Sequence, residues 1–402
     1  MRPIRETIPL EQAVALVMDA AVPIARTERI PIRDANNRVL AESVVSAVDV
    51  PPFDRAAMDG YAVCADDTFG AGRHEPKTLR AVATVYTGQV SNRRLSRGEC
   101  IEIATGAPMP QGADAVVIVE ETEKGDGTDV RVFTPVYPRQ HVGRRAADIA
   151  AGQSILAAGE LLNPSRIGAL AATGVLEVNV FAKPRVAILS TGNEIIEPGQ
   201  PLGPGQIYDI NQFTLSAIIG AHGGVAAAGA TAPDSLPELV SAVESAATAD
   251  ILVFSGGSSV GDRDLIMDAL QQAGEVVFHG IALKPGKPTV FGRVRHRPVL
   301  GMPGYPTSCL SNAYLLLVPL LRKIARLPEH HPVITRVPLS RRVVSTTGRH
   351  QFYPVRLDGG TAVPAFKASG DITSMAHADG YIEIPVQTDI VEAGELVDVK
   401  LF

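Results

Sequence analysis

Between Ser255 and Cys309 the chain carries three loops, SGGSSVGDRD, ALKPGKPTVFG and GMPGYPTSC, rich in small residues, carboxylates and ammonium groups. Asp262 and Asp264 follow the run Gly256-Gly-Ser-Ser-Val-Gly261. Such small residues let a backbone approach a ligand closely and present N–H groups as an anion nest, with Ser258 in its middle. Lys284-Pro-Gly-Lys287-Pro288 sets two ammonium groups about a rigid turn. Gly301-Met-Pro-Gly-Tyr-Pro306 opens a long helical run, and a helix N-terminus favours an anion. Upstream, Leu189-Ser-Thr-Gly-Asn-Glu194 leaves a strand, and Asp234 lies in the loop after the next one. Carboxylates at three successive strand ends, Glu194, Asp234 and Asp264, repel one another unless a cation sits among them. Magnesium commonly uses one or two carboxylates plus substrate phosphates. The equipment suits an anionic, phosphate-bearing ligand held with a hard cation.

Each motif also has a plainer reading. Glu194 could be a solvated loop carboxylate, Asp234 a turn residue and Asp264 a helix N-cap. The lysine pair could be an exposed charged turn. Order and spacing together, rather than any one motif, favour the ligand. Earlier in the chain, Pro51-Pro-Phe-Asp-Arg-Ala-Ala-Met-Asp-Gly-Tyr-Ala62 combines Asp59 with Phe53, Met58 and Tyr61, more apolar bulk than a surface loop needs. Thr105-Gly-Ala-Pro-Met-Pro-Gln-Gly-Ala-Asp114 is a backbone-rich loop offering one hydroxyl. The histidines show no metal spacing, and no Ser-His-Asp arrangement or Walker motif is legible.

The elements that must position these groups follow from hydrophobic periodicity. Pro9 to Ala25 has helical spacing. From Pro51 to Arg144 short runs (Leu79–Thr87, Glu99–Ile103, Ala115–Glu120, Asp129–Phe133) predict a small antiparallel domain. Ala150 to Gly174 reads as a return to helix, with Asn163-Pro-Ser-Arg a plausible start. After Lys183-Pro184, strands at Arg185–Leu189, Val225–Gly229 and Ile251–Phe254 alternate with helices at Asn211–Ile219, Leu236–Ala247 and Leu265–Ala273. This alternation predicts a mostly parallel sheet, whose carboxyl edge is where open α/β sheets bind ligands. Tyr305–Ala325 is its closing helix. From about Pro328 the short Val-, Pro- and Gly-spaced runs predict a small β-barrel or sandwich.

At 402 residues the chain is too long for one ordinary core, so two to four domains are expected. A 46% hydrophobic and 20% charged composition describes a globular protein, and a net charge of -6 lacks the basic footprint of nucleic-acid binding. Three cysteines without CxxC spacing argue against a disulfide framework or a zinc site and for a reducing compartment. Glu6, Glu11 and Asp19 interrupt any signal-like run, and Ala313–Leu321 is too short to span a bilayer. A cytoplasmic protein, not a membrane one, is expected.

In order along the chain, PPFDRAAMDGYAV, TGAPMPQGADAVV, RRAADI, STGNE, QIYDIN, SGGSSVGDRD, KPGKP and GMPGYP closely resemble the molybdopterin molybdotransferase family, the MoeA and gephyrin E-domain proteins. The resemblance covers almost the whole chain. It implies an α/β plus β fold in several domains. These are an elongated, partly helical region (1–50 and 145–182), a β-rich insertion (51–144), a three-layer molybdopterin-binding α/β domain (183–327) and a C-terminal β domain (328–402). It implies transfer of molybdenum from molybdate to adenylylated molybdopterin, with Mg²⁺ and release of AMP, in molybdenum cofactor synthesis. By motif position Asp59, Thr105, Asp148, Glu194 and Asp264 look catalytic. Ser258, Asp234, Lys284, Lys287, Pro303 and Pro306 look like binding positions, and Glu194, Asp234 and Asp264 like metal ligands. A homodimer with its site shared between subunits is also implied, as is contact with the upstream molybdopterin adenylyltransferase. Three positions depart from the pattern. Gly280 stands where some relatives have a lysine, Tyr305 replaces an asparagine, and Ala147 replaces a second acid before Asp148. Two rival readings are the adenylyltransferase, which shares the α/β domain and GGSSVG-type loop, and a non-catalytic scaffold of the gephyrin type. The Asp59 and Thr105 motifs on an additional β domain speak against the first, and the retained acids against the second.

Overall fold

A computed structural model of the chain describes all residues except 1–5, 193, 228–230, 233–234, 247 and 257–264. Two compact units result. One comprises Arg29–Asn36 and Leu40–Asn179; the other comprises the N-terminal segment to Glu28, Asn37–Val39 and Val180–Phe402.

The first unit is organised by a six-stranded sheet in the order Ala115–Ile118, Gly60–Val63, Glu99–Ile103, Lys77–Val85, Asp129–Val132, Thr122–Lys124. Both faces are covered. Tyr61, Val63, Leu79, Val117 and Val130 pack on one side, and Ala62, Val85, Ile101, Ile103 and Val116 on the other. Strand alternation sends successive side chains to opposite faces, so the short run GYAV is buried throughout. The sheet is not wholly antiparallel as its short runs suggest: Lys77–Val85 and Glu99–Ile103 are parallel. The connection between them, about a dozen residues, is long enough for the crossover a parallel pair needs. The helix expected over Ala150–Gly174 is shorter, occupying only Pro164–Ala172, where Asn163 Oδ1 caps the Arg166 N–H at 2.9 Å. Ahead of it Ser154–Leu156 is a strand, because its backbone pairs with Val44–Val45.

In the second unit the strand order is Val225–Ala227, Arg185–Thr191, Ile251–Ser255, Arg297–Met302, Val290–Val294, Glu275–His279. The first four are parallel and only Val290–Val294 runs against the rest. Glu275–His279 therefore ends at the same edge as the parallel strands, and the KPGKP turn follows it there. Helix Leu10–Asp19, helix Asn211–Ala221 and the helical run from Pro306 to Ile324 cover one face through Val17, Leu215, Leu316 and Leu320. Helices Leu236–Ser245 and Leu265–Ala273 cover the other through Leu239, Val243, Ile266 and Leu270. Ile251–Ser255, buried at every position, is the inner strand of this three-layer sandwich. The first helix stops at Asp19 rather than Ala25, since Pro23 has no N–H to continue it. The closing helix also departs from a regular α-helix: Ala313–Leu317 forms a π-turn between Pro306–Asn312 and Val318–Ile324.

The C-terminal strands follow the order Thr361–Pro364, His350–Asp358, Gly380–Ile384, Leu396–Leu401, Ile334–Pro338. A bridge from Leu339 to Ala362 returns the last strand to the first, closing a small barrel around Val343, Val355, Ile382, Ile384 and Val399. Outside it, Phe352 and Tyr381 stack with ring centres 4.0 Å apart and pack with Leu310 and Tyr314 of the closing helix.

Candidate functional site

In the first unit, Asp59 immediately precedes Gly60–Val63 and Thr105 follows Glu99–Ile103. Gly60 lies opposite Ile103, so the two loops emerge at one edge. Asp59 Oδ1 accepts the Thr105 N–H at 2.7 Å, and Thr87 Oγ1 donates to the Thr105 carbonyl at 2.9 Å. Both candidate residues remain exposed. Of the three large apolar groups in the Asp59 loop only Tyr61 is core; Phe53 and Met58 are 41% and 44% exposed beside the acid. Asp148 is exposed, and its N–H bonds to the Val50 carbonyl at 3.0 Å. The preceding Arg145 donates through Nε to Asp49 at 2.5 Å and through its backbone to Asp54 at 2.7 Å. The RRAADI segment thus folds against the base of the loop that carries Asp59. The Ala151 N–H and the Arg145 guanidinium hold Asp49 below the usual carboxylate range, so Asp49 is a charged brace.

In the second unit, Glu194 is exposed beyond the carboxyl end of Arg185–Thr191, and its carbonyl accepts the Ile207 N–H at 2.9 Å. A short parallel ladder, Ile195–Ile196 with Ile207–Tyr208, then brings QIYDIN beside STGNE. Asn211 spans the site: its Nδ2 donates to Ser255 Oγ and to the Gly304 carbonyl, each at 2.8 Å. Gly304 packs against Gly256, where a Cβ would lie 2.7 Å from the Thr191 carbonyl. Three strand-end loops therefore meet by backbone contact. Pro303 is buried beneath them, and Pro306 is the first helical residue of the closing helix, where its missing N–H costs nothing. Cys309 lies under Ser255 and Met302; burial pushes its thiol up to about 12, so it carries no thiolate.

Ser190 Oγ, Thr191 Oγ1, Asp209 Oδ2 and Asn211 Oδ1 are buried without a hydrogen-bond partner among the described residues. Buried polar atoms are almost always paired, so orphans concentrated at one sheet edge mark groups available to a ligand. Lys284 and Lys287 flank Gly286, whose φ of +119° and lack of a Cβ let the buried Asn312 amide lie against it. Asn312 Nδ2 donates to Thr289 Oγ1 at 2.5 Å, and Thr289 Oγ1 donates to the Gly286 carbonyl at 2.7 Å. The lysine turn is thus held from beneath. Lys284 Nζ donates to Thr346 Oγ1 at 2.5 Å. Asp234, Ser258 and Asp264 lie outside the described residues, so of the expected metal ligands only Glu194 is placed. Among the described residues no group of three or more His, Cys, Asp or Glu could hold a metal ion.

Family models match along the chain: the MoeA N-terminal region (domains I and II) at 8–174, a probable molybdopterin binding domain at 187–323 and the MoeA C-terminal region (domain IV) at 336–402. Molybdopterin molybdenumtransferase 2 of Mycobacterium tuberculosis is 35% identical over 399 residues, covering 97% of each chain. The molybdopterin molybdenumtransferase of Haemophilus influenzae is 32% identical over 98% of each. The chain belongs to the MoeA family. The crystal structure of a molybdopterin biosynthesis MoeA protein from Pyrococcus horikosii matches with a TM-score of 0.84 and 41% identity, covering 98% of this chain and 99% of that one.

Several groups at this MoeA site were not singled out by motif chemistry: Asp209, Asn211, Asn312 and Thr346. QIYDIN was visible as a family motif, yet nothing in its spacing says that Asp209 keeps one oxygen unpartnered. Asn312 sits in an apolar helical run, and its polar contact reaches back to Gly286 and Thr289.

Proposed function

We propose that this chain is a molybdopterin molybdenumtransferase. In this reading it takes adenylylated molybdopterin and molybdate, releases AMP and delivers molybdenum to the dithiolene. The observation that carries the reading is the strand-end constellation of the second unit. There, two lysines on a braced turn and unpartnered buried oxygens share a sheet edge with Glu194. Lys284 and Lys287 hold oxyanions by charge-assisted hydrogen bonds. Asp209, Asn211, Ser190 and Thr191 offer polar contacts to the uncharged parts of the ligand. Asp59 and Thr105 supply an acid and a hydroxyl from the insertion, and Asp148 a second acid from the segment that follows it.

Glu194, an exposed oxygen donor, fits a hard cation, and magnesium would be held by Glu194 with Asp234 and Asp264. When bound it supplies Lewis-acid polarisation of the phosphoanhydride. Around it, the chain's own residues bind the anions, orient the anhydride and keep AMP's departing charge matched by the lysines.

The same reading makes the protein a cytoplasmic homodimer whose sites are completed by residues of both subunits, supplied by the adenylyltransferase that makes its substrate. In support of a reducing compartment, the described cysteines are all free. Purified protein given adenylylated molybdopterin and molybdate should release AMP and yield a cofactor that reconstitutes a molybdenum enzyme lacking its own. Tight ligand binding without AMP release would favour a scaffold instead. For the shared site, inactive Asp59→Asn and Asp264→Asn chains are mixed under conditions of exchange. About a quarter of sites should then be intact, since random pairing makes half the dimers mixed. No rescue after verified exchange would refute sharing.

A further inference from the structure

The strand Leu283–Lys284 stands outside the α/β sheet. It pairs in parallel with the start of the long barrel strand, Leu283 opposite His350 and Lys284 opposite Gln351. The His350 N–H bonds to the Ala282 carbonyl at 2.8 Å, extending that ladder. The backbone of Lys284 is thus carried by the C-terminal barrel. Its side chain is held there too, through Thr346 Oγ1.

Thr346 is itself fixed on both sides. Ser345 Oγ donates to Gln351 Oε1 at 3.0 Å, and the Ser345 N–H bonds to the Asp389 carbonyl at 2.7 Å. Thr347 Oγ1 donates to Asp389 Oδ1 at 2.8 Å. Contacts therefore run in a ring from Lys284 through Thr346, Ser345 and Gln351 back to Lys284. A lysine side chain normally spreads over many rotamers, and fixing it costs entropy. Here that cost is met within the protein before any ligand arrives. The acceptor is a neutral hydroxyl, so it directs one N–H of the ammonium without itself neutralising the positive charge. This contact leaves the other two N–H donors of the ammonium unused. A carboxylate at position 346 would have neutralised the charge.

We propose that Thr346 is a positioning residue, supplied by the C-terminal barrel, that presents the Lys284 ammonium to a substrate oxyanion. The inference rests on the reading of Lys284 as an anion contact. The oxyanion is either molybdate or a phosphate of the adenylylated pterin, and separate KM values for the two substrates distinguish them.

The test compares Thr346→Val, which keeps the shape and removes the acceptor, with Thr346→Ser, which keeps the acceptor, and with Lys284→Gln. Thr346→Val should raise the KM of one substrate about tenfold, the scale of one lost hydrogen bond to a charged group. Its kcat and thermal midpoint should be nearly unchanged, and Thr346→Ser should restore the KM. In the Lys284→Gln background Thr346→Val should add nothing. If Thr346→Val proves unstable, Thr346→Ala against Thr346→Ser gives the same comparison. A loss in Lys284→Gln with none in Thr346→Val overturns the inference and leaves the anion contact standing. No loss in Lys284→Gln overturns both. A KM that Ser fails to restore, in a variant with a normal midpoint, also overturns the role of the hydroxyl.

Discussion

Asp59 and Thr105, 46 residues apart in sequence, are joined by a 2.7 Å hydrogen bond from the Thr105 N–H to Asp59 Oδ1. One carboxylate oxygen therefore builds the loop, and the chemistry proposed for Asp59 falls to its charge and its other oxygen. The two duties can be separated. Asp59→Asn retains an oxygen to accept the Thr105 N–H and removes the charge, so it should keep the native thermal midpoint and lose AMP release by about a hundredfold or more. Asp59→Ala should lose activity and about 1 kcal/mol of stability as well. Full turnover by a folded Asn variant would show that the Asp59 charge has no part in the reaction.

The lysine turn depends on Gly286. A Cβ at that position would stand 2.6 Å from Asn312 Oδ1, and the positive φ disfavours any other residue. Asn312 cannot swing away without releasing Thr289. Gly286→Ala should therefore shift both lysines, cost about 1–3 kcal/mol of stability and weaken binding of the substrate oxyanion, molybdate or the pterin's phosphate, by about tenfold. Denaturant titration and calorimetry measure the two effects. Native stability together with native affinity would mean that the turn accepts a Cβ.

The sequence makes these two relationships unequally visible. Ile251–Ser255 is legible because a strand buried on both faces reads as a continuous apolar run, and the Gly-, Asp- and Lys-rich loops after such strands mark the ligand edge. Glu194 and Lys284 stand out for that reason, whereas Asp59 and Thr105 stand out through the composition of their loops and their family motifs. Asn312 and Thr346 do not, because each acts through a tertiary contact with a group 26 or 62 residues away. The parallel pair in the insertion was hidden for a related reason: strand direction is set by where the chain returns, which short alternating runs do not encode. The π-turn at Ala313–Leu317 lies in an apolar run whose spacing suits an α-helix equally well.

Glu194 offers an exposed carboxylate whose loss should leave the fold untouched. If it helps hold a divalent cation, AMP release should disappear in a chelator and return with Mg²⁺, and Glu194→Gln should need about tenfold more Mg²⁺ for half-maximal rate. A carboxylate-to-amide change removes an anionic ligand while keeping an oxygen donor, so a shifted requirement rather than a dead enzyme is expected. Equal Mg²⁺ dependence in the two proteins would exclude Glu194 from the metal site.

The final prediction concerns acid stability. His222 caps the C-terminal end of helix Asn211–Ala221 and is buried against the His330 ring, centroid to centroid 4.9 Å, with Nδ1 unpartnered among the described residues. Burial, then His330 and Arg322, push its pKa down to about 4. Burial followed by Arg322 and His331 lowers His330 as well. The folded state therefore keeps His222 neutral where the unfolded chain, with a histidine pKa near 6.5, already binds a proton. Between those two values the unfolded state holds more protons, so stability falls as pH falls from about 6.5 to about 4. Below the folded value both states are protonated and this contribution stops changing. Urea titrations at half-unit pH intervals should show that slope in the native chain and a flatter one in His222→Asn, whose side chain does not titrate. An unchanged slope in that variant would assign the acid sensitivity to other groups.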